Sequence, residues 1–94
     1  MVSGTIQFGM VHGDLHCVMN RLPSLSQATL SLFFRSEDFR CLCEEYRLAR
    51  DALRRWEAVE TPDGRARVAE YSLLAERIEV EIMRALLRDQ ASGK

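Results

Sequence analysis

The feature that most constrains the fold is a pair of apolar stripes that keep one pairing across a turn. Between Glu37 and Gln90, two segments carry apolar residues at alternating spacings of three and four, as amphipathic helices do. When the chain is folded back at Thr61-Pro62, the two residue numbers of every facing pair add to 124. A chance pattern would not usually keep that pairing, so the sequence predicts an antiparallel helical hairpin. The six pairs are Trp56 with Val68, Leu53 with Tyr71, Ala49 with Ala75, Tyr46 with Ile78, Leu42 with Ile82 and Phe39 with Ala85.

Residues at the reversal and at the start of the hairpin suit helix ends. Thr61 can cap the second helix through its hydroxyl, with Pro62 at the first helical position, where its missing N–H costs nothing. The same residues also suit a type I turn, with Pro62 at its second position and Gly64 at its fourth. Ser36 is the expected cap of the first helix. The sequence predicts a helix over about 37–60, a turn over about 61–64 and a helix over about 62–90.

Residues 1–35 differ from the rest in composition. Their only charged side chains are Asp14, Arg21 and Arg35, and their apolar residues lack a sustained period. We therefore predict an irregular N-terminal arm of low order over residues 1–35, followed by the helical hairpin over 36–94. This division implies that a chain without its first 34 residues keeps the hairpin.

Two weaker patterns lie within this arm. Ile6, Phe8 and Met10 alternate with less apolar residues, which is a weak strand signal. The stretch Leu25–Phe34 is compatible with a short helix behind a Ser24 cap.

Composition argues against several classes of protein. Thirteen basic and fourteen acidic residues leave a net charge of −1, whereas nucleic-acid and membrane-surface proteins normally carry a basic excess. No apolar run approaches the ~20 residues of a membrane-spanning helix. Three cysteines do not form a disulfide framework, so we expect a cytoplasmic location. The many carboxylates are not placed in a pocket by sequence alone, and we predict that the protein is not an enzyme.

The stretch from His12 to His16 reads HGDLH. It resembles the catalytic loop of the aminoglycoside phosphotransferases and choline kinases, in which the aspartate orients the substrate hydroxyl. In that family a magnesium-holding asparagine follows five residues after the aspartate, where this chain has Met19, and Asn20 comes one residue later. The resemblance covers about ten residues, and no Gly-rich loop or Asp-Phe-Gly-like element follows. We interpret the match as coincidence and predict no catalytic residue.

The same stretch also allows a metal site. His12 and His16 would share one face of a helix, with Asp14 and Cys17 nearby. However, Gly13 weakens a helix there, and no second pair of ligands appears elsewhere. The alternative is that the histidines are exposed in a flexible arm. We favour that alternative and predict no metal and no other cofactor.

Three arginines form a ridge on the first hairpin helix. Arg47, Arg50 and Arg54 are spaced three and four residues apart, so they share a face that could contact an anion or a nucleic acid. The alternative is a solvated face on which acidic residues at helical spacing supply partners, and we favour it. The acidic residues in question are Glu44, Glu45, Asp51 and Glu57.

The second hairpin helix carries a further apolar stripe, roughly opposite the first. Leu73, Val80 and Leu87 recur every seven residues, with Met83 beside them. We call these four residues the outer stripe. A lone hairpin of about 55 residues buries too little apolar surface to be secure. The stripe therefore needs a cover: a second copy of the chain, the arm folded back, or another protein. We predict an interface with a second copy or a partner, because the arm lacks a matching period.

The pattern over residues 36–90 resembles small, functionally uncharacterised bacterial helical-hairpin proteins, and this resemblance carries no functional residue across. We expect an all-α protein, a coiled-coil-like antiparallel two-helix hairpin with an irregular N-terminal arm that dimerises into a four-helix bundle. The expected function is that of a small structural or adaptor protein acting through helix–helix contacts, with a homodimer or a helical protein as partner. The alternative is a small nucleic-acid-binding bundle that uses the arginine ridge.

Overall fold

A computed structural model describes residues 13–92 of the chain. Helix α1 covers residues 13–21, and a 3₁₀ turn at Pro23–Leu25 leads into α2 at Ser26–Arg35. Helix α3 follows at Glu37–Glu57 and α4 at Pro62–Ser92. No strand occurs between residues 13 and 92, and the predicted all-α class is confirmed for this part of the chain.

Both predicted caps of the hairpin helices are formed. The Ser36 hydroxyl accepts a hydrogen bond of 3.1 Å from the backbone N–H of Phe39, which is the usual N-cap geometry. The Thr61 hydroxyl accepts one of 3.0 Å from the N–H of Gly64, so of the two arrangements open at the reversal the helix cap is adopted. Because α3 ends at Glu57, the chain turns over residues 58–61, slightly earlier than predicted.

Gly64 is required by a close approach at this reversal. A Cβ atom added there would lie 2.3 Å from the carbonyl oxygen of Val59, a distance that real Cβ contacts essentially never show. The chain leaving α3 therefore passes directly over the first turn of α4. A side chain at this position would push the two helices apart.

Helices α3 and α4 pack against each other, with contacts near both of their ends. Phe39 and Ala85 line one shared cleft, and Trp56 and Val68 line another. Each of these two predicted pairs joins the start of one helix segment to the end of the other, as the short connection requires. Between them, the residues that face the neighbouring helix are largely buried.

The prediction of an irregular arm is wrong over residues 13–35. Leu15 and Val18 of α1, and Leu32 and Phe33 of α2, are each 8% exposed or less and belong to the same core as α3 and α4. The hairpin alone is therefore not the whole fold, because these two helices form a second layer over one face of it. Residues 1–12 of the predicted arm lie outside the described residues, as does the predicted strand there.

Helix α2 lies one residue later than the predicted helix and without the predicted Ser24 cap. No side chain caps its start. The Ser26 hydroxyl donates to the carbonyl of Pro23 at 2.9 Å, and the Thr29 hydroxyl donates to the carbonyl of Leu25 at 2.8 Å. The second bond satisfies a hydroxyl that is fully buried, so a polar residue can occupy this core position.

Ion pairs join the two layers at their edges. The three charged side chains that precede Ser36 each pair with a residue of α3 or α4, and the Arg40 guanidinium donates to the carbonyl of Phe33 at 2.8 Å. The molecule measures 49 × 37 × 20 Å, and its thickness matches two layers of helices. The interlayer ion pairs are Asp14 with Arg47, Arg21 with Glu79 at 2.6 Å, and Arg35 with Asp89 at 2.7 Å.

Candidate functional site

The arginine ridge faces a cleft of about 430 Å³ between α1 and α3. Arg47, Arg50 and Arg54 form one wall, as their spacing predicts. The opposite wall comes from α1 and includes His16 and Asn20, which sequence reasoning missed because it treated this segment as an arm. The fold therefore converts an exposed ridge into one side of a polar cleft.

Aspartates neutralise much of the charge in this arginine cleft. Arg47 donates to Asp14 of α1 and, at 3.0 Å, to Asp51, while Arg54 donates to Asp51 at 2.8 Å. The hydrogen bond with Asp14 raises the pKa of Arg47, which is the direction expected for a paired cation. Asp51 was among the predicted partners, and Asp14 was not. Arg50 is half-buried and makes no ion pair with any residue between 13 and 92.

The described part of the HGDLH stretch forms helix rather than a catalytic loop. Asp14 holds α1 against α3 through Arg47, Leu15 lies in the core, and His16 is exposed. His12, the other proposed metal ligand, lies outside the described residues. From residue 13 to residue 92, no three His, Cys, Asp or Glu side chains are grouped so that they could hold a metal ion.

The three cysteines are free thiols in different environments. Cys43 is fully buried, and burial, together with the negative charge of Asp14, raises its pKa to about 12. Burial also raises the pKa of Cys17, although Arg50 acts in the opposite direction. Cys41 is exposed on another side of α3, as the spacing of two predicts. A nucleophilic cysteine needs a lowered pKa, so neither Cys17 nor Cys43 has the character of one.

A buried tyrosine connects α3 with both α4 and α1. The Tyr46 hydroxyl donates to the Glu79 carboxylate at 3.3 Å, and the same carboxylate accepts from Arg21 at 2.6 Å. Burial raises the pKa of Tyr46, and the negative charge of Glu79 adds to the shift. The phenol therefore stays protonated at neutral pH, and its role is to orient Glu79 between the layers.

The outer stripe lies on the side of α4 that no described helix covers. Leu73 is 58% exposed, Val80 46%, Met83 39% and Leu87 55%. Of the three covers proposed for the stripe, the arm does not serve over residues 13–35, because α1 and α2 pack against the core instead. These four large apolar side chains lie on one side of α4 and form an extended apolar surface.

A second apolar surface is the groove between α3 and α4 on the face away from α1 and α2. It encloses about 480 Å³, with Ala49 and Ala52 at its floor. Leu48, which is 51% exposed, and Leu74, which is 41% exposed, stand at its sides. Small floor residues let another helix approach closely, so the groove has the shape that a helical partner needs.

Comparison with protein-family models, with curated proteins and with solved structures gave no match. None of the helices between residues 13 and 92 combines the length and apolar character needed to cross a membrane. The geometry of the surfaces is therefore the basis for a functional proposal.

Proposed function

We propose that this protein is a small structural or adaptor protein that acts through helix–helix contacts, with the outer stripe of α4 as its binding surface. The observation that carries the proposal is the exposure of all four stripe residues on a helix whose opposite side forms the core. Covering a large apolar side chain is worth roughly 1.5–3 kcal/mol, so a partner that buries several of them gains substantial affinity.

The stripe also indicates the chemistry of its partner. Glu76 lies three residues after Leu73 and four before Val80, so it borders the stripe. It also lines a small cleft with Arg21 and Arg50. A carboxylate covered by a purely apolar surface would be costly, whereas a basic side chain opposite it would form a charge-assisted contact. The expected partner is therefore an amphipathic helix with apolar residues at heptad spacing and a Lys or Arg at the level of Glu76.

Site-specific photo-crosslinking in the producing cells tests this proposal. Benzoylphenylalanine placed at Val80 or Leu87 should give one discrete protein adduct, and the mass of the adduct shows whether the partner is another protein or a second copy. Placement at Glu81, which is exposed and lies on the flank of α4 one residue after Val80, is the matched control and should give little adduct. Equal crosslinking from positions 80 and 81 would mean that the stripe is merely exposed.

A substitution provides an independent test of the same surface. Val80→Glu together with Leu87→Glu should abolish adduct formation from a probe at Leu73 while leaving the circular dichroism melt unchanged, because both side chains are exposed. Ser24→Glu with Gln27→Glu changes the net charge by the same amount at exposed positions of the other layer and should leave the adduct intact. A lost adduct in both double variants would indicate a general charge effect instead.

Nucleic-acid binding is a second candidate, favoured by one observation. Arg50 is half-buried in the arginine cleft without an ion-pair partner among residues 13–92, and Arg54 and Arg21 also line that cleft. The aspartates that pair with Arg47 and Arg54 weigh against it. Binding to phosphates must weaken steeply with salt, so an electrophoretic shift that disappears as the salt concentration rises, and with Arg50→Ala, is the result this candidate requires.

A further inference from the structure

The outer face of α3 carries a regular row of residues outside the central core. Its members recur at alternating spacings of four and three, the a/d pattern of a coiled coil. Cys41, Glu45, Leu48 and Arg55 are exposed, and Ala52 forms part of the groove floor. Val59 continues the row just after α3 and is also exposed. We call these six residues the α3 row.

Two opposite charges in this row have no ion-pair partner among the described residues. Glu45 and Arg55 make no ion pair with any residue from 13 to 92. They are ten residues apart on one helix, a distance of about 15 Å along its axis, so they cannot reach each other. Each lies beside the groove that contains Leu48 and Ala52.

The α3 row complements itself when it is reversed. In an antiparallel coiled coil, a positions of one helix meet d positions of the other, so the residue numbers of facing pairs add to a constant. For a sum of 100, Glu45 faces Arg55 of the copy and Leu48 faces Ala52 of the copy. The outermost layer joins Cys41 to Val59. Every layer then occurs twice, and each joins either opposite charges, a large side chain to a small one, or two apolar side chains.

We propose that a second copy of the chain docks on the groove between α3 and α4, with the two α3 helices antiparallel about a two-fold axis. Leu48 of each copy enters the other's groove over Ala52, beside Leu74, and two Glu45–Arg55 pairs fix the direction and the offset. The two α3/α4 layers then form a bundle of four helices, with α1 and α2 outside it. This dimer goes beyond the function proposed above, because the outer stripe remains open on another side of α4.

The outer stripe is a poorer surface for a second copy. A parallel pairing of two stripes would bring Glu76 of one chain against Glu76 of the other, and like charges at that position repel. Antiparallel pairings at heptad spacing place Glu76 against Leu73, Val80 or Leu87 of the copy, where the carboxylate has no partner. The α3 row has no such mismatch. Its opposite charges face each other in the antiparallel pairing, whereas a parallel pairing would place like charges together.

Charge reversal on the full chain tests the arrangement. Size-exclusion chromatography with light scattering should give twice the chain mass of 10.8 kDa for the natural sequence. Glu45→Arg alone, or Arg55→Glu alone, turns both attractive pairs into repulsive ones and should weaken the dimer about tenfold. The double variant Glu45→Arg/Arg55→Glu restores the attraction in reverse and should recover the natural affinity. Circular dichroism melts recorded at a concentration below that at which the natural chain dimerises should be the same for all four chains, since both residues are exposed.

Disulfide trapping checks the offset between the helices. In a Cys41→Ser background, a chain carrying Leu48→Cys mixed with a chain carrying Ala52→Cys should form a crosslinked dimer under mild oxidation. Neither chain should crosslink as efficiently with itself, because like positions do not face each other in the proposed pairing.

Three results would overturn the proposal. One is a monomeric natural chain at every concentration measured. Another is a charge-swapped double variant that is as weak as the single variants. The third is a dimer that Val80→Glu/Leu87→Glu dissolves and Glu45→Arg leaves intact, which would place the second copy on the outer stripe. Photo-crosslinking from Val80 tests the outer-stripe proposal independently, so the first two of these results would overturn the dimer without deciding that proposal.

Discussion

The α1/α2 layer and the α3/α4 layer contribute to one core but differ in what makes them helical. Helix α3 has 21 residues and α4 has 31, with side-chain caps at both starts. Helix α2 has 10 residues and no side-chain cap, and the described part of α1 is equally short. Helices of fewer than about 12–15 residues are marginal in water without tertiary packing. The first layer therefore depends on the second for its structure.

The dependence also runs in the other direction. Cys43, Ile82 and Leu86 are fully buried, and the core that covers them includes Leu15 and Phe33 from the short helices. The hairpin therefore exposes part of its own apolar surface when α1 and α2 are absent. Two layers that each leave apolar surface uncovered are expected to fold as one cooperative unit.

Removing residues 1–35, and with them the α1/α2 layer, should cause the largest loss of stability. Four core side chains are lost with them, each worth roughly 1.5–3 kcal/mol, which is comparable with a typical total stability of about 5–15 kcal/mol. The shortened chain should lose its cooperative thermal transition and much of its circular dichroism signal at 222 nm. A transition as sharp as that of the full chain would show that the hairpin is self-sufficient, as the sequence pattern alone suggests.

Neighbouring phenylalanines on α2 separate core packing from surface contact. Phe33 is 1% exposed and Phe34 is 53% exposed, and their rings meet edge to face at 5.5 Å. Phe33→Ala should lower the free energy of unfolding by about 3–5 kcal/mol, because it leaves a cavity between the layers. Phe34→Ala, the matched control, should cost only about 1 kcal/mol. Urea denaturation measures both, and equal small losses would mean that α2 is peripheral to the core.

Thiol reactivity tests the smallest and most local effect. Cys43 lies in the core between the layers, and Cys41 lies on the outer surface. At pH 8 a thiol reagent should label Cys41 quickly and Cys43 only after unfolding, since the thiolate is the reactive form and the Cys43 pKa is raised to about 12. Mass spectrometry follows the labelling, and Cys41→Ser should remove the fast phase. Fast labelling of Cys43 itself would mean that the layers separate readily.

The same pKa shift predicts how stability changes with pH. The folded state holds the Cys43 proton to about pH 12, whereas the unfolded thiol releases it near its ordinary value of 9.0. Between pH 9 and 12 the unfolded state gains free energy of ionisation that the folded state does not. The free energy of unfolding is therefore unaffected by this thiol below pH 9 and falls as the pH rises from 9 to 12. Cys43→Ala should flatten this part of the profile, and an unchanged slope in that variant would contradict the assignment.

Much of α3 and α4 could be predicted, because the determinants of both helices are local. The spacing of Leu53 and Ile78 identifies inner positions, and both are buried. Ser36 and Thr61 act as caps within their own first turns, so their roles follow from neighbouring residues alone. The exposure of the outer stripe follows from the same helical period. A repeating pattern over several turns determines which side of a helix is apolar, whatever surrounds it.

The first layer carries a local signal that was available but short. Leu15, Val18 and Leu22 are spaced three and four apart, which is a helical pattern of only two turns between Gly13 and Pro23. Such a pattern shows that a helix is compatible with the segment, but it does not show what would cover it. Short helices become stable through tertiary packing, so the structure was needed to place α1 and α2 in the core.

The pairings across the layers were decided only by the tertiary structure. Asp51 is four residues from Arg47, so that ion pair follows from helical spacing, whereas Asp14 is 33 residues away and meets Arg47 only because α1 packs on α3. The same packing turns the arginine ridge into a cleft and leaves the α3/α4 groove on the opposite face.

The sequence by itself determined the two long helices, their caps and their apolar sides, since these depend on neighbours within a few residues. Which side each surface faces, and what covers it, depends on contacts between residues far apart in the chain, and no local period encodes those.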